Sequence, residues 1–229
     1  MEETIAFQIF AKAPRAGAVK TRLQPTLSGD DAARLYERLL VRTVEAVALV
    51  CRTIAGAHGE LWCSPDADDS FLRAIAGRHA LSLCVQADGD LGRRMSIALG
   101  AAMPGRALLM GSDCALLDST RLVAACRALD DRAAVFIPAE DGGYALVGCR
   151  HRVPDCFSAI PWSTDRVMAM TRTRLTESGQ GWIELPEVWD VDTAAELERL
   201  ARDATLSHLL DGLGCRLDAD RPSYPQPQL

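Results

Sequence analysis

Apolar residues follow two rhythms along this chain. Short continuous runs at 4–11 ("TIAFQIFA"), 60–64 ("ELWCS"), 81–86 ("LSLCVQ"), 106–113 ("RALLMGSD"), 133–138 ("AAVFIP") and 144–149 ("YALVGC") predict strands, and 181–188 ("GWIELPEV") predicts a further extended segment. Between them the apolar positions recur every three or four residues. Ala33, Tyr36, Leu40, Val44, Val47 and Cys51 form such a stripe behind "SGDD" (28–31), whose Ser-x-x-acid spacing approximates a helix-starting capping box. Further helices are predicted at 69–78, 91–103, 118–130 (capped by Asp118 or Ser119), 164–178 and 193–203.

Strands alternating with helices predict an α/β fold: a three-layer α/β/α sandwich on a mostly parallel sheet. The close pair at 133–138 and 144–149, joined through "AEDGG", makes room for one antiparallel element, so the sheet is expected to be mixed. No repeat or linker divides the chain. One domain is expected over 1–217, followed by a flexible tail at 218–229, where three prolines interrupt a polar stretch.

Composition narrows the partners. Of 229 residues, 48% are apolar and 24% charged, and the formal net charge is −6, which argues against nucleic acid as the main ligand. No apolar stretch approaches the ~20 residues that span a bilayer. Eight cysteines show no C-x-x-C spacing and sit mostly in apolar runs, as expected of reduced thiols in a cytoplasmic protein. The sequence leaves oligomeric state open; a homodimer is compatible with it.

Against that acidic background, "KAPRAGAVKTRL" (12–23) carries Lys12, Arg15, Lys20 and Arg22, and no carboxylate occurs from Thr4 to Gly29. The loop follows the first predicted strand, and in open α/β sheets ligands bind beyond the carboxyl ends of strands. Lysine offers a point charge and arginine a two-pronged grip on phosphate, while Gly17 and the alanines let backbone come close. A solvated loop with surface ion pairs explains the same four cations about equally well. Neither G-x-G-x-x-G nor a Walker loop is present, since Pro14 and Val19 stand where the latter needs glycine.

Four other loops carry acids. "GSDC" ends a strand and sets Asp113 at the sheet rim, too far before the next helix to cap it. "WDVDT" spaces Asp190 and Asp192 by two, on one side of an extended backbone. Such oxygen ligands suit Mg2+ or Mn2+, although Asp192 or Thr193 serves equally well as a helix cap. "PAEDGGY" holds Glu140 and Asp141 beside Gly142 and Gly143, and "DGDLGRRM" holds Asp88 or Asp90 as a cap with Gly89 and Gly92. Tyr144 and Trp162 can stack on a base or sugar, though core packing is the commoner role of such aromatics.

"FAKAPRAGAVKTRL", "QADGDLGRRM", "LLMGSDC", "PAEDGGYALVG", "IPWSTDRV" and "WDVDT" follow one another in an order that resembles a bacterial family assigned as glycosyltransferases, of the GT-A or nucleotide-diphospho-sugar transferase fold and often labelled arsenosugar-biosynthesis-like. The resemblance runs from Phe7 to Leu200; 2-phospho-L-lactate guanylyltransferase and molybdenum-cofactor nucleotidyltransferases are more distantly similar. It implies that Lys12, Lys20 and Arg22, within a loop that includes Arg15, Gly17 and Thr21, cradle nucleotide phosphates. It implies a divalent ion on Asp113 with Asp190 and Asp192, a nucleotide-facing helix start near Gly89 and Gly92, and a donor–acceptor pocket lined by Gly142, Gly143 and Tyr144. Trp162, Ser163 and Thr164 would lie beside the acceptor. The chain departs from that pattern at Ala115, Ala145 and Ile137.

The reaction expected is therefore metal-dependent glycosyl transfer from a nucleotide sugar to a small acceptor, with Glu140 or Asp141 as candidate base. Nucleotidyl transfer from an NTP to a phosphate- or carboxylate-bearing acceptor is the alternative, and a nucleotide-binding protein without turnover is a third.

Overall fold

The computed structural model describes residues 4–216; the predicted tail at 218–229 lies outside them. Among the described residues seven strands form one sheet: β1 (Ile5–Lys12), β2 (Ala57–Ser64), β3 (Ser82–Val85), β4 (Arg106–Met110), β5 (Ala134–Pro138), β6 (Tyr144–Arg150) and β7 (Trp182–Glu184). Their order is β3-β2-β1-β4-β6-β5-β7. Of these strands only β6 runs against its neighbours, antiparallel to both β4 and β5. The antiparallel element is the one for which the short "AEDGG" connection leaves room, since parallel neighbours need a long crossover.

Helices cover the sheet: α1 (Gly29–Thr53), α2 (Ser70–His79), α3 (Leu91–Ala101), α4 (Ser119–Asp131), α5 (Val167–Glu177) and α6 (Ala194–Arg202). Alternation along the strands sorts them into layers. Phe7 and Ile9 of β1 and Val135 and Ile137 of β5 pack with buried residues of α1, α2 and α4. Leu109, Phe136 and Val147 face the other way, onto Met95 and Leu99 of α3 and Met168 and Leu175 of α5. A third cluster joins a short 3-10 turn (Thr21–Leu23) and α1 to Trp189, Val191 and α6. That cluster brings the segment after the basic loop against the C-terminal part of the described chain.

Several boundaries differ from the sequence reading. β2 begins three residues earlier, at Ala57. The helix expected from 164 starts at Val167, because the Thr164 side chain is spent on a turn, donating to the Pro161 carbonyl. Of the extended 181–188 segment Trp182–Glu184 forms β7, and Val188 adds an isolated parallel bridge to Ala139. The capping predictions resolve clearly: Ser28, Asp90 and Asp118 accept from backbone N–H groups three residues further along the chain.

Candidate functional site

The "WDVDT" segment is tied to the "GSDC" loop by backbone. The Val191 N–H donates to the Asp113 carbonyl at 3.3 Å, and the Cys114 thiol donates to the Trp189 carbonyl at 3.4 Å. Thr193, not Asp192, caps α6, in a capping box with Glu196. Glu196 also accepts from the Asp192 N–H, so the Asp192 carboxylate stays free to turn toward Asp113.

Between those two carboxylates sits an ammonium. Lys20 Nζ donates to Asp192 Oδ1 at 2.7 Å and to Asp113 Oδ2 at 3.2 Å. Its side chain is 4% exposed, whereas those of Asp113 and Asp192 are 39% and 38% exposed. Burial alone would depress the Lys20 pKa, but Asp113 and Asp192 outweigh it and the net direction is upward, so the charge is held. The backbone there is left-handed, with φ 48°, a conformation that strains a non-glycine residue by roughly 1 kcal/mol. The expected convergence of basic loop and acids is thus present, with one revision. Lys20 is not an idle cation awaiting phosphate; it is locked onto the acids.

Asp190 lies deeper. Its Oδ1 is sealed from solvent and has no hydrogen-bond partner. Burial, then the Asp113 charge, push its pKa up to about 8, against a smaller opposing pull from Lys20. With one oxygen buried and unpartnered, this carboxyl is unfavourable to ionise and keeps its proton unless something positive completes it. Among the described residues no group of three or more His, Cys, Asp or Glu side chains is arranged to hold a metal ion. The donor set nonetheless fits Mg2+ or Mn2+ in the usual manner of a nucleotide site, where one or two carboxylates bind and substrate phosphates supply the remaining oxygens.

Two cavities meet at Phe10, Leu91, Gly111, Asp113, Ser163 and Asp192. The first, about 500 Å³, is walled by Lys12, Lys20, Thr21, Arg22 and Arg94. The second, about 340 Å³, reaches Asp141, Gly143, Tyr144, Trp162, Thr164 and Asp190. Tyr144 meets Phe136 and Trp162 edge-to-face, at ring centroid separations of 5.2 and 6.5 Å, so core packing and cavity lining are one arrangement. Ser163, exposed and left-handed at φ 65°, stands at the junction.

Other predicted residues fall elsewhere. Glu140 accepts from Arg199 through both carboxylate oxygens, at 2.9 and 2.7 Å, and lines neither cavity. Arg15 pairs with Asp69, and Gly17 lies on the exposed loop with open space around it. Gly89 supports Arg93, which folds back onto the Asp88 carbonyl, while Arg94 turns into the first cavity. Gly92 is buried under Trp162, where an added Cβ would lie 2.7 Å from the ring. Gly142 (φ 88°) is packed against the Asp165 backbone, and its carbonyl accepts from Met168 N–H at the start of α5.

Sequence reasoning missed Tyr36 and Ser112. The Tyr36 hydroxyl accepts from the Lys12 N–H at 2.9 Å and bonds the Ser112 hydroxyl at 2.8 Å, bracing the basic loop against the strand that carries Asp113. Tyr36 sits in the apolar stripe of α1, and nothing in that stripe distinguishes its hydroxyl from a core ring.

A family model described as an uncharacterized protein conserved in bacteria (DUF2064) matches residues 43–164, more than half of the chain. The chain belongs to this family. The match spans β2 through Thr164 and so includes Asp113, Asp141 and the "DGGY" loop of this DUF2064 protein. No curated protein matches the sequence. Among solved structures, the fold is similar to a "putative nucleotide-diphospho-sugar transferase" from Desulfovibrio desulfuricans G20, at 27% identity over 90% of this chain and 93% of that chain, with a TM-score of 0.77. It also resembles a nucleotidyl transferase from Methanothermobacter thermautotroptrophicus (11% identity, 90% and 98% covered, TM-score 0.56). A third neighbour is glucosyl-3-phosphoglycerate synthase from Mycobacterium tuberculosis, solved with Mn2+, UDP and glucosyl-3-phosphoglycerate (8% identity, 91% and 79% covered, TM-score 0.52). The DUF2064 chain therefore has the mixed α/β fold of nucleotide-diphospho-sugar transferases. Among its described residues no helix is long and apolar enough to cross a membrane.

Proposed function

We propose that this protein is a nucleotide-dependent transferase, its residues 1–217 forming one domain, that moves a glycosyl group from a nucleotide-diphospho-sugar to a small acceptor. The observation that carries the reading is the pair of adjoining cavities, one cationic and one aromatic and acidic, sharing Asp113 and Asp192. A donor's diphosphate suits the first and an acceptor the second. The neighbour solved with Mn2+ and UDP supports this reading, and the one named a nucleotidyl transferase supports nucleotide-dependent transfer in general.

In this reading Lys12, Arg22 and Arg94 hold the diphosphate. Asp113 with Asp190 or Asp192 would hold a divalent ion, which when bound offsets charge on the departing nucleotide. The acceptor hydroxyl oxygen forms a bond to the anomeric carbon as the bond from that carbon to the diphosphate oxygen breaks. The nucleoside diphosphate leaves with the electron pair, and the hydroxyl proton passes to Asp141, the acid of the "EDGG" pair that faces the second cavity. Glu140 is withdrawn as a base because Arg199 occupies both of its oxygens.

The number of cations in the first cavity also suits a triphosphate, which supports nucleotidyl transfer as a second reading. A panel of nucleotide sugars and NTPs with Mg2+ or Mn2+ separates them: free nucleoside diphosphate marks the first, pyrophosphate the second. Asp113→Ala is expected to abolish either product while preserving the fold. Retained turnover in that variant refutes the site.

A further inference from the structure

The second cavity holds more chemical information than a general acceptor site needs. Four aspartates, Asp113, Asp141, Asp190 and Asp192, line it, and among the described residues no lysine, arginine or histidine does. The cations Lys12, Lys20, Arg22 and Arg94 all belong to the first cavity, and one of them, Lys20, is already engaged by Asp113 and Asp192. One of the four acids is the sealed Asp190, whose Oδ1 has no partner. The remaining wall is apolar or aromatic: Met95, Tyr144, Trp162 and Val167. At about 340 Å³ the space sits at the small end of the range for small-molecule sites.

We infer that the acceptor bound in this cavity is a hydroxyl compound free of phosphate and carboxylate groups, neutral or cationic, with an apolar or ring-shaped body laid against Tyr144 and Trp162. The inference rests on the proposed transfer reaction and deepens it. An anion entering this cavity would meet the Asp141 carboxylate, the one acid of the four that neither pairs with Lys20 nor belongs to the set proposed to hold the ion, and would find no basic side chain lining the space to pair with. A neutral alcohol avoids that repulsion and still presents its hydroxyl proton to Asp141. A cationic one gains from Asp141. The same charge distribution opposes the nucleotidyl reading in the form that requires a phosphate- or carboxylate-bearing acceptor.

The test uses the full chain loaded with Mg2+ and, in turn, ADP, CDP, GDP and UDP, followed by NMR. The probes are benzyl alcohol and its para-aminomethyl, para-carboxylate and para-phosphate derivatives. Binding in the second cavity is read at the Gly143 and Tyr144 amides and the Trp162 indole N–H, and nucleotide binding at the Thr21 and Arg22 amides. Benzyl alcohol and the amine are expected to shift the second-cavity signals, with the carboxylate and phosphate at least roughly tenfold weaker. Asp141→Asn is expected to narrow that gap without moving the nucleotide affinity. Equal or tighter binding of the anionic probes overturns the inference, and so does the absence of any shift with all four. If Thr21 and Arg22 respond to no nucleotide, the transferase reading fails instead, and that result is read on different residues.

Discussion

Asp190 offers the most direct test of the site's electrostatics, because its burial makes a stability prediction independent of any substrate. Its carboxyl is raised to about 8, from an ordinary value of 3.8, first by burial and then by Asp113. The folded chain therefore holds this proton over a window in which the unfolded chain has released it. Stability falls as pH rises from about 4 to about 8 and then levels, which is the sign required when the native state binds more protons. At about 1.4 kcal/mol per unit, the penalty is at most about 5 kcal/mol at pH 7.5 and about 1 kcal/mol at pH 4.5. An asparagine at this position has nothing to ionise. Asp190→Asn is thus expected to stabilise the metal-free protein at pH 7.5 by several kcal/mol, and by much less at pH 4.5. For a chain of this length each kcal/mol moves Tm by roughly 2–4 °C. Thermal melts of both proteins in EDTA at the two pH values measure it. A variant no more stable than wild type at pH 7.5, or equally stabilised at both pH values, refutes the reasoning.

Four further outcomes follow from named contacts. Lys20→Met removes the ammonium from between Asp113 and Asp192, so Mn2+ binding without nucleotide, followed by electron paramagnetic resonance, is expected to tighten at least severalfold while turnover is lost. Glu140→Gln breaks only the exposed pair with Arg199 and is expected to change kcat less than about twofold, since exposed pairs contribute ~0–1 kcal/mol. Gly142→Ala would set a Cβ 2.1 Å from the Asp165 carbonyl oxygen at φ 88°, and urea denaturation is expected to record a loss of about 2 kcal/mol or more. Arg94→Ala is expected to raise the nucleotide Kd about tenfold and to reduce its salt dependence in calorimetric titrations at two ionic strengths.

The parts of this molecule legible in its sequence are those governed by local rules. Alternation in "IAFQIFAK" fixes which residues of β1 face α1 and which face α3, and Ser28, Asp90 and Asp118 mark helix starts that depend only on neighbours within three residues. The positions of Asp113 and of the basic loop at strand ends follow from the same reasoning, as does the antiparallel β6. The partners of charged side chains do not. Whether Lys20 faces phosphate or carboxylate depends on the start of α6, far along the chain, whose capping box frees Asp192 for the pair. Glu140 and Asp141 are adjacent in sequence and alike in chemistry, yet Arg199 draws one outward while the glycine turn sends the other to the cavity.

The long-range pairing also explains why an acidic chain keeps its cations at the front. The carboxylates of "GSDC" and "WDVDT" are brought within a few ångströms of one another by the Val191–Asp113 backbone bond, and their mutual repulsion has to be offset. Lys20 does so from a strained left-handed position, its Nζ shared between Asp113 and Asp192. Such a lysine holds the two acids together at the meeting point of the two cavities. Arg22, exposed and 3.7 Å from Asp192, adds a second cation to the same carboxylate. The basic loop and the acids are therefore one electrostatic unit, assembled from the front of the chain, its middle and its rear.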